Sequence, residues 1–114
     1  MIMIEIWINC PDHDTARMVS DALLDSGRIA CANIFPEIES SYRWKGRTEN
    51  ETEVPLVVKS RRELFPRIVE IVKKLHPYET PSIIGVPVEL VNEDYLDWVY
   101  AETEQKADPE PANA

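Results

Sequence analysis

Ile2, Ile4, Ile6 and Ile8 alternate with Met3, Glu5 and Trp7, the two-residue period of a strand with one face in a core. Pro11-Asp12 breaks that strand, and Asp12 or Asp14 is placed to cap a helix in which Ala16, Val19, Ala22 and Leu23 recur at helical spacing. Gly27 supplies a left-handed C-terminal cap. Ile29 to Phe35 is apolar and partly alternating, and it leads to a turn centred on Lys45-Gly46, beyond which Val54 to Val58 is a second apolar run. These segments predict two strands joined in a long hairpin. Ser60-Arg61-Arg62-Glu63 matches the capping box of a helix start. Leu64, Ile68, Ile71, Val72 and Leu75 follow on one helical face, and Pro77 stops the helix. Ile83 to Val91 reads as a strand in which Pro87 requires an edge position or a bulge. Asn92 is placed to cap a last helix carrying Tyr95, Leu96, Trp98 and Val99. Lys106 to Ala114, with two prolines, reads as a frayed tail.

The predicted order, with a final helix added, is the split βαββαβ of ferredoxin-like α+β folds: an antiparallel sheet, two helices on one face and an extra C-terminal helix. A chain of 114 residues with 44% hydrophobic content supports one core. The domain is expected to span residues 1–105, with 106–114 as a disordered tail.

A two-residue turn at Lys45-Gly46 sets Tyr42 opposite Glu49, Ser40 opposite Glu51, Ile38 opposite Glu53 and Pro36 opposite Pro55. Neither proline donates to a ladder, so the pair is expected to mark a bend in the hairpin. Beyond it neither face is apolar enough to hold a projecting ribbon, and an isolated two-stranded hairpin is marginal in water. The arm is therefore expected to be held by neighbouring copies in a homo-oligomer, with Tyr42 and Trp44 as anchors beside Glu51 and Glu53. Glu49, Glu51 and Glu53 read either as a solvated strand face or as a carboxylate cluster for cations, whose oxygens suit hard ions better than copper or zinc.

A formal net charge of −9 argues against nucleic acid and against an anionic membrane surface, both of which are bound through clustered Lys and Arg. No apolar run approaches the roughly 20 residues of a membrane span. Cys10 and Cys31 read as plain thiols of a reducing compartment, and the cytoplasm is expected. His13 and His76 are the chain's two histidines, and no local spacing marks a metal site. His13 reads as a surface residue. His76 is either a helix stop with Tyr78 packed over the joint or a ligand in a cleft. Cys31 is either a small core residue or a ligand. A Cys31–His76 catalytic pair stays formally open, but no nucleophile elbow or phosphate loop is present, so no enzyme is expected.

Cys31-Ala32-Asn33, Ser41-Tyr42-Arg43-Trp44-Lys45-Gly46, Glu51 with Glu53, Lys59-Ser60, His76-Pro77-Tyr78-Glu79-Thr80-Pro81 and Tyr95-Leu96-Asp97-Trp98 together resemble the CutA family, in order, over almost the whole folded part. The resemblance implies a ferredoxin-like subunit in a homotrimer built through its hairpins, similar to the PII signalling trimers. It implies an association with tolerance to divalent cations, copper above all, and no established reaction. It implies that His76 and Cys31 occupy metal-capable positions and that Trp44, Lys59 and Tyr78 lie near clefts between subunits. No cofactor is required, with Cu2+ or another divalent cation as the implied ion. A PII-like alternative would hold a small anionic ligand through Lys59 and Arg43. Thr48, Thr52, Pro55, Ser82 and the lack of a glycine before Tyr95 depart from the family pattern.

Overall fold

The structure is a computed structural model describing residues 1–103; the expected tail at 106–114 lies outside them. Strand β1 (Met3–Cys10) sends Ile4, Ile6, Ile8 and Cys10 into the core, as the isoleucine alternation requires. Helix α1 (His13–Asp25) starts at Asp12, whose carboxylate accepts the Thr15 N–H at 2.7 Å. It ends at Ser26, and Gly27 follows with φ +72°, the left-handed turn a glycine adopts without strain. Strands β2 (Cys31–Ile34), β3 (Ile38–Trp44) and β4 (Arg47–Arg61) come next. A 3₁₀ turn (Arg62–Leu64), helix α2 (Phe65–Leu75), strand β5 (Ile83–Pro87) and helix α3 (Glu93–Glu102) complete the order.

The sheet runs β2-β4-β1-β5 with antiparallel neighbours, and β3 continues along β4 as the arm. β4 lies between β1 and β2, which makes this the split arrangement. Helices α1 and α2 cover one face, closing a core of Ile6, Ile8, Leu23, Leu56, Val58, Ile68 and Val72. Helix α3 takes the other face, where Arg61 donates to Thr103 Oγ1 at 3.2 Å and Lys59 lies over the Tyr95 ring. β5 is an edge strand and ends at Pro87, where a missing N–H is tolerated.

Two local expectations are corrected. Ser60 does not cap a helix: it is the penultimate residue of β4, paired with Ile4, fully buried, and its hydroxyl donates to the Arg28 carbonyl at 2.5 Å. Pairing with β1 holds the chain extended through Arg61, so α2 begins at Phe65, with Pro66 in its first turn. Pro36 does not face Pro55 either. The arm keeps the expected pairs Tyr42↔Glu49, Ser40↔Glu51 and Ile38↔Glu53, but the base pairs Ile34 with Leu56. Phe35–Glu37 therefore opposes Val54-Pro55, which is a bulge of one extra residue. The Phe35 N–H donates to the Pro55 carbonyl at 2.9 Å. That carbonyl, and hence the missing Pro55 donor, faces the interruption between β2 and β3, so β4 stays continuous against β1.

Candidate functional site

The site forms where the end of α2 meets the base of the arm. After Leu75 the chain turns extended at His76, which is only 7% exposed. Its Nε2 lies 2.7 Å from the Asn9 carbonyl and its Nδ1 accepts the Tyr78 N–H at 3.2 Å. The carbonyl accepts and the amide donates, so the proton sits on Nε2 and both ring nitrogens are committed. Tyr78 packs edge-on against the imidazole at 4.7 Å between centroids. Its hydroxyl donates to Glu53 Oε2 at 3.0 Å, and Glu53 is 6% exposed. Burial, the hydrogen bond to Glu53 and the negative charge of Glu53 and Glu51 push the Tyr78 hydroxyl far above its ordinary range, so it remains a donor.

Above this joint runs an open groove of about 940 Å³ between the arm and the segment Pro77–Ser82. Glu49, Glu51 and Glu53 line it from β4, two residues apart on one face, and Glu79 lines it from across. Tyr42, Trp44 and Tyr78 supply aromatic walls. The Tyr42 hydroxyl is also raised, through loss of solvent and then the neighbouring Glu51, Glu49 and Glu53. At the far end Lys45 Nζ reaches Glu79 Oε2 at 3.7 Å. Among the described residues no three His, Cys, Asp or Glu side chains converge tightly enough to hold a metal ion.

The predicted residues separate. Tyr42, Trp44, Tyr78, Glu51 and Glu53 meet in the groove. Cys31 starts β2 opposite Lys59, and its thiol donates to Asn33 Oδ1 at 3.8 Å. Lys59 pairs with Glu5, whereas His76 contacts Asn9. Cys31 and His76 are thus offset by about 13 Å along the strands and about 10 Å across them. Within one chain they share neither an ion nor a proton. Arg43 is bound at the turn to Thr48 Oγ1 at 3.2 Å and the Gly46 carbonyl at 2.9 Å, about 36 Å along β4 from Lys59. The two do not converge on an anion within one chain. Glu79 was not singled out from the sequence, because its place opposite the arm depends on how the two segments pack.

The comparisons with known proteins agree with this fold. Residues 4–102 match the family described as CutA1 divalent ion tolerance protein. The chain belongs to that family. It is 41% identical over 103 residues to the divalent-cation tolerance protein CutA of Pyrococcus horikoshii, covering 90% of this chain and 100% of that one. The mouse protein CutA is 38% identical over 98 residues, 86% of this chain. The match covers 55% of the mouse protein, so the chain spans little more than half the length of that relative. Among solved structures, the periplasmic divalent cation tolerance protein CutA of Archaeoglobus fulgidus superposes with a TM-score of 0.87 at 35% identity, over 90% of this chain and 99% of that one. As a CutA family member the chain has a ferredoxin-like α+β fold, and among its described residues no helix is long and apolar enough to cross a membrane.

Proposed function

We propose that this protein is a non-enzymatic homotrimer that binds divalent cations through the carboxylates of the arm groove. The observation that carries this reading is the line of Glu49, Glu51 and Glu53 facing Glu79 across an open groove. Oxygen donors of this kind suit hard divalent ions and take copper less selectively. Among the described residues too few ligands converge in one chain, so the reading has a neighbouring copy complete the coordination. Support for the oligomer comes from the face of the sheet not covered by α1 and α2, where Trp7, Phe35, Ile84 and Val86 stay exposed. Trp7 is paired with Ile84, and its ring lies 5.7 Å from that of Phe35. These side chains form an apolar patch suited to self-association, and Tyr42 and Trp44 stay exposed on the arm. The free thiols Cys10 and Cys31 fit a reducing compartment, and we assign the cytoplasm.

Sedimentation equilibrium at micromolar concentration is expected to give about 39 kDa, three times the 13.1 kDa chain; a monomeric mass rejects the oligomer. In calorimetric titration with Mn2+ and Cu2+, the Glu51→Gln/Glu53→Gln variant is expected to lose about tenfold in affinity or more. His76→Gln is expected to leave the isotherm unchanged, because its ring nitrogens already serve the fold. An unaltered carboxylate variant rejects the groove as the cation site.

A further inference from the structure

On the face of the sheet that α3 covers, one row of side chains is polar and reactive. Cys31 of β2, Lys59 of β4 and Glu5 of β1 stand directly opposite one another, and opposed residues of antiparallel strands send their side chains to the same face. Arg61, two residues further along β4, shares that face and donates to Thr103 at the end of α3. The cation groove uses none of these residues. Cys31 is half-buried there, whereas Cys10 is fully buried on the opposite, core face of β1.

The thiol and the ammonium meet under Tyr95. Lys59 Nζ lies 5.4 Å from the centre of the Tyr95 ring. Burial first, then the adjoining Cys31 side chain, push the Tyr95 hydroxyl up, and the Lys59 ammonium draws it down. Both groups therefore reach the same phenol. The β-carbons of a directly opposed pair lie about 5 Å apart, and the four-carbon stem of Lys59 is long enough to fold across that gap to the sulfur. The Cys31 thiol donates to Asn33 Oδ1 at 3.8 Å on an exposed stretch of its own strand, a weak bond that yields readily to another partner. A half-exposed thiol beside a cation is the setting in which cysteines are oxidised selectively.

We infer that Cys31 and Lys59 form a peroxide-sensitive modification site, in which the oxidised thiol is captured by the lysine amine as a reversible sulfur–nitrogen bridge. In the first step the Cys31 sulfur attacks one oxygen of hydrogen peroxide. The O–O bond breaks, water leaves, and the thiol is oxidised to a sulfenic acid while the peroxide is reduced. In the second, Lys59 releases its ammonium proton to solvent and its nitrogen attacks that sulfur. The S–O bond breaks and hydroxide leaves with an amine proton as a second water. The product is a sulfenamide, which a thiol reductant opens by attack on sulfur, returning the amine and then the free cysteine. The bridge removes one positive charge from beneath Tyr95. It also fastens β2, a four-residue edge strand, covalently to β4.

The test treats the full chain with hydrogen peroxide in the absence of reductant and reads the intact mass and the tryptic peptides. The parent is expected to lose two hydrogens, about 2 Da, to resist trypsin after Lys59, to yield one linked peptide pair containing Cys31 and Lys59, and to recover with dithiothreitol. A Cys10–Cys31 disulfide would have the same mass, so Cys10→Ala is the control, expected to oxidise as the parent does. Lys59→Arg keeps the charge without a capturing amine and is expected to stop at the sulfenic acid, heavier by one oxygen, about 16 Da, and trapped by dimedone. The parent unfolded in urea is expected to form at least about tenfold less bridge, because strand pairing supplies the proximity. A folded parent that gains oxygen without losing hydrogens overturns the site. So does a peptide map linking Cys31 to Cys10, or a two-hydrogen loss that persists in Lys59→Arg.

Discussion

At the scale of single residues, the deepest chemistry of the chain is held out of use. Cys10 is fully buried at the end of β1. Burial first, then the negative charges of Asp12 and Glu53, push its thiol from the ordinary value near 9 up to about 11. A thiol raised on folding contributes stability that is fully present below the unfolded value and is lost as pH rises through the folded one. Stability measured by urea titration is therefore expected to be insensitive to Cys10 below pH 9 and to fall between about 9 and 11. The Cys10→Ala variant is expected to lose that part of the slope. Iodoacetamide is expected to label Cys31 in the native protein and Cys10 only after unfolding, as peptide mass spectrometry would show. His76 follows the same logic: its position as a helix stop was legible in the sequence, but its tautomer was set by the Asn9 carbonyl, 67 residues away.

At the scale of elements, hydrophobic period and the caps at Asp12 and Gly27 read the chain well, and the capping box at Ser60 read it poorly. The face Leu64, Ile68 and Val72 is buried as its spacing predicts. The capping box at Ser60 is not used, because eight consecutive pairs with β1 hold β4 extended through Arg61, and a sheet ladder outweighs a cap worth about 1 kcal/mol. The same competition explains Pro55, which stays within a continuous strand because the bulge at Phe35–Glu37 removes the neighbour its N–H would have served. Gly85 shows how closely elements approach. A Cβ there would lie 2.8 Å from the Phe65 ring, so the ring at the start of α2 packs directly onto the backbone of β5. Gly85→Ala is expected to destabilise the fold by about 1–3 kcal/mol, read as a lower denaturation midpoint with an unchanged urea slope. A neutral result would show that the Phe65 ring can move aside.

At the scale of the whole molecule, the core is built from β1, β4 and the two covering helices, and the arm from Ile38 to Glu53 projects from it with no residue in that core. The sequence by itself determined the order of elements, the face each buries, the arm register from Tyr42↔Glu49 to Ile38↔Glu53 and, through its ordered motifs, the CutA family. Those properties follow from side-chain period and turn chemistry, which act between near neighbours. Only the tertiary structure decided that His76 is tied to Asn9, that Cys31 and His76 lie far apart, that Arg43 and Lys59 do not converge, and that Glu53 is buried beneath Tyr78. Each of those depends on where distant segments pack, and packing is settled by the fit of the whole core and its ladders.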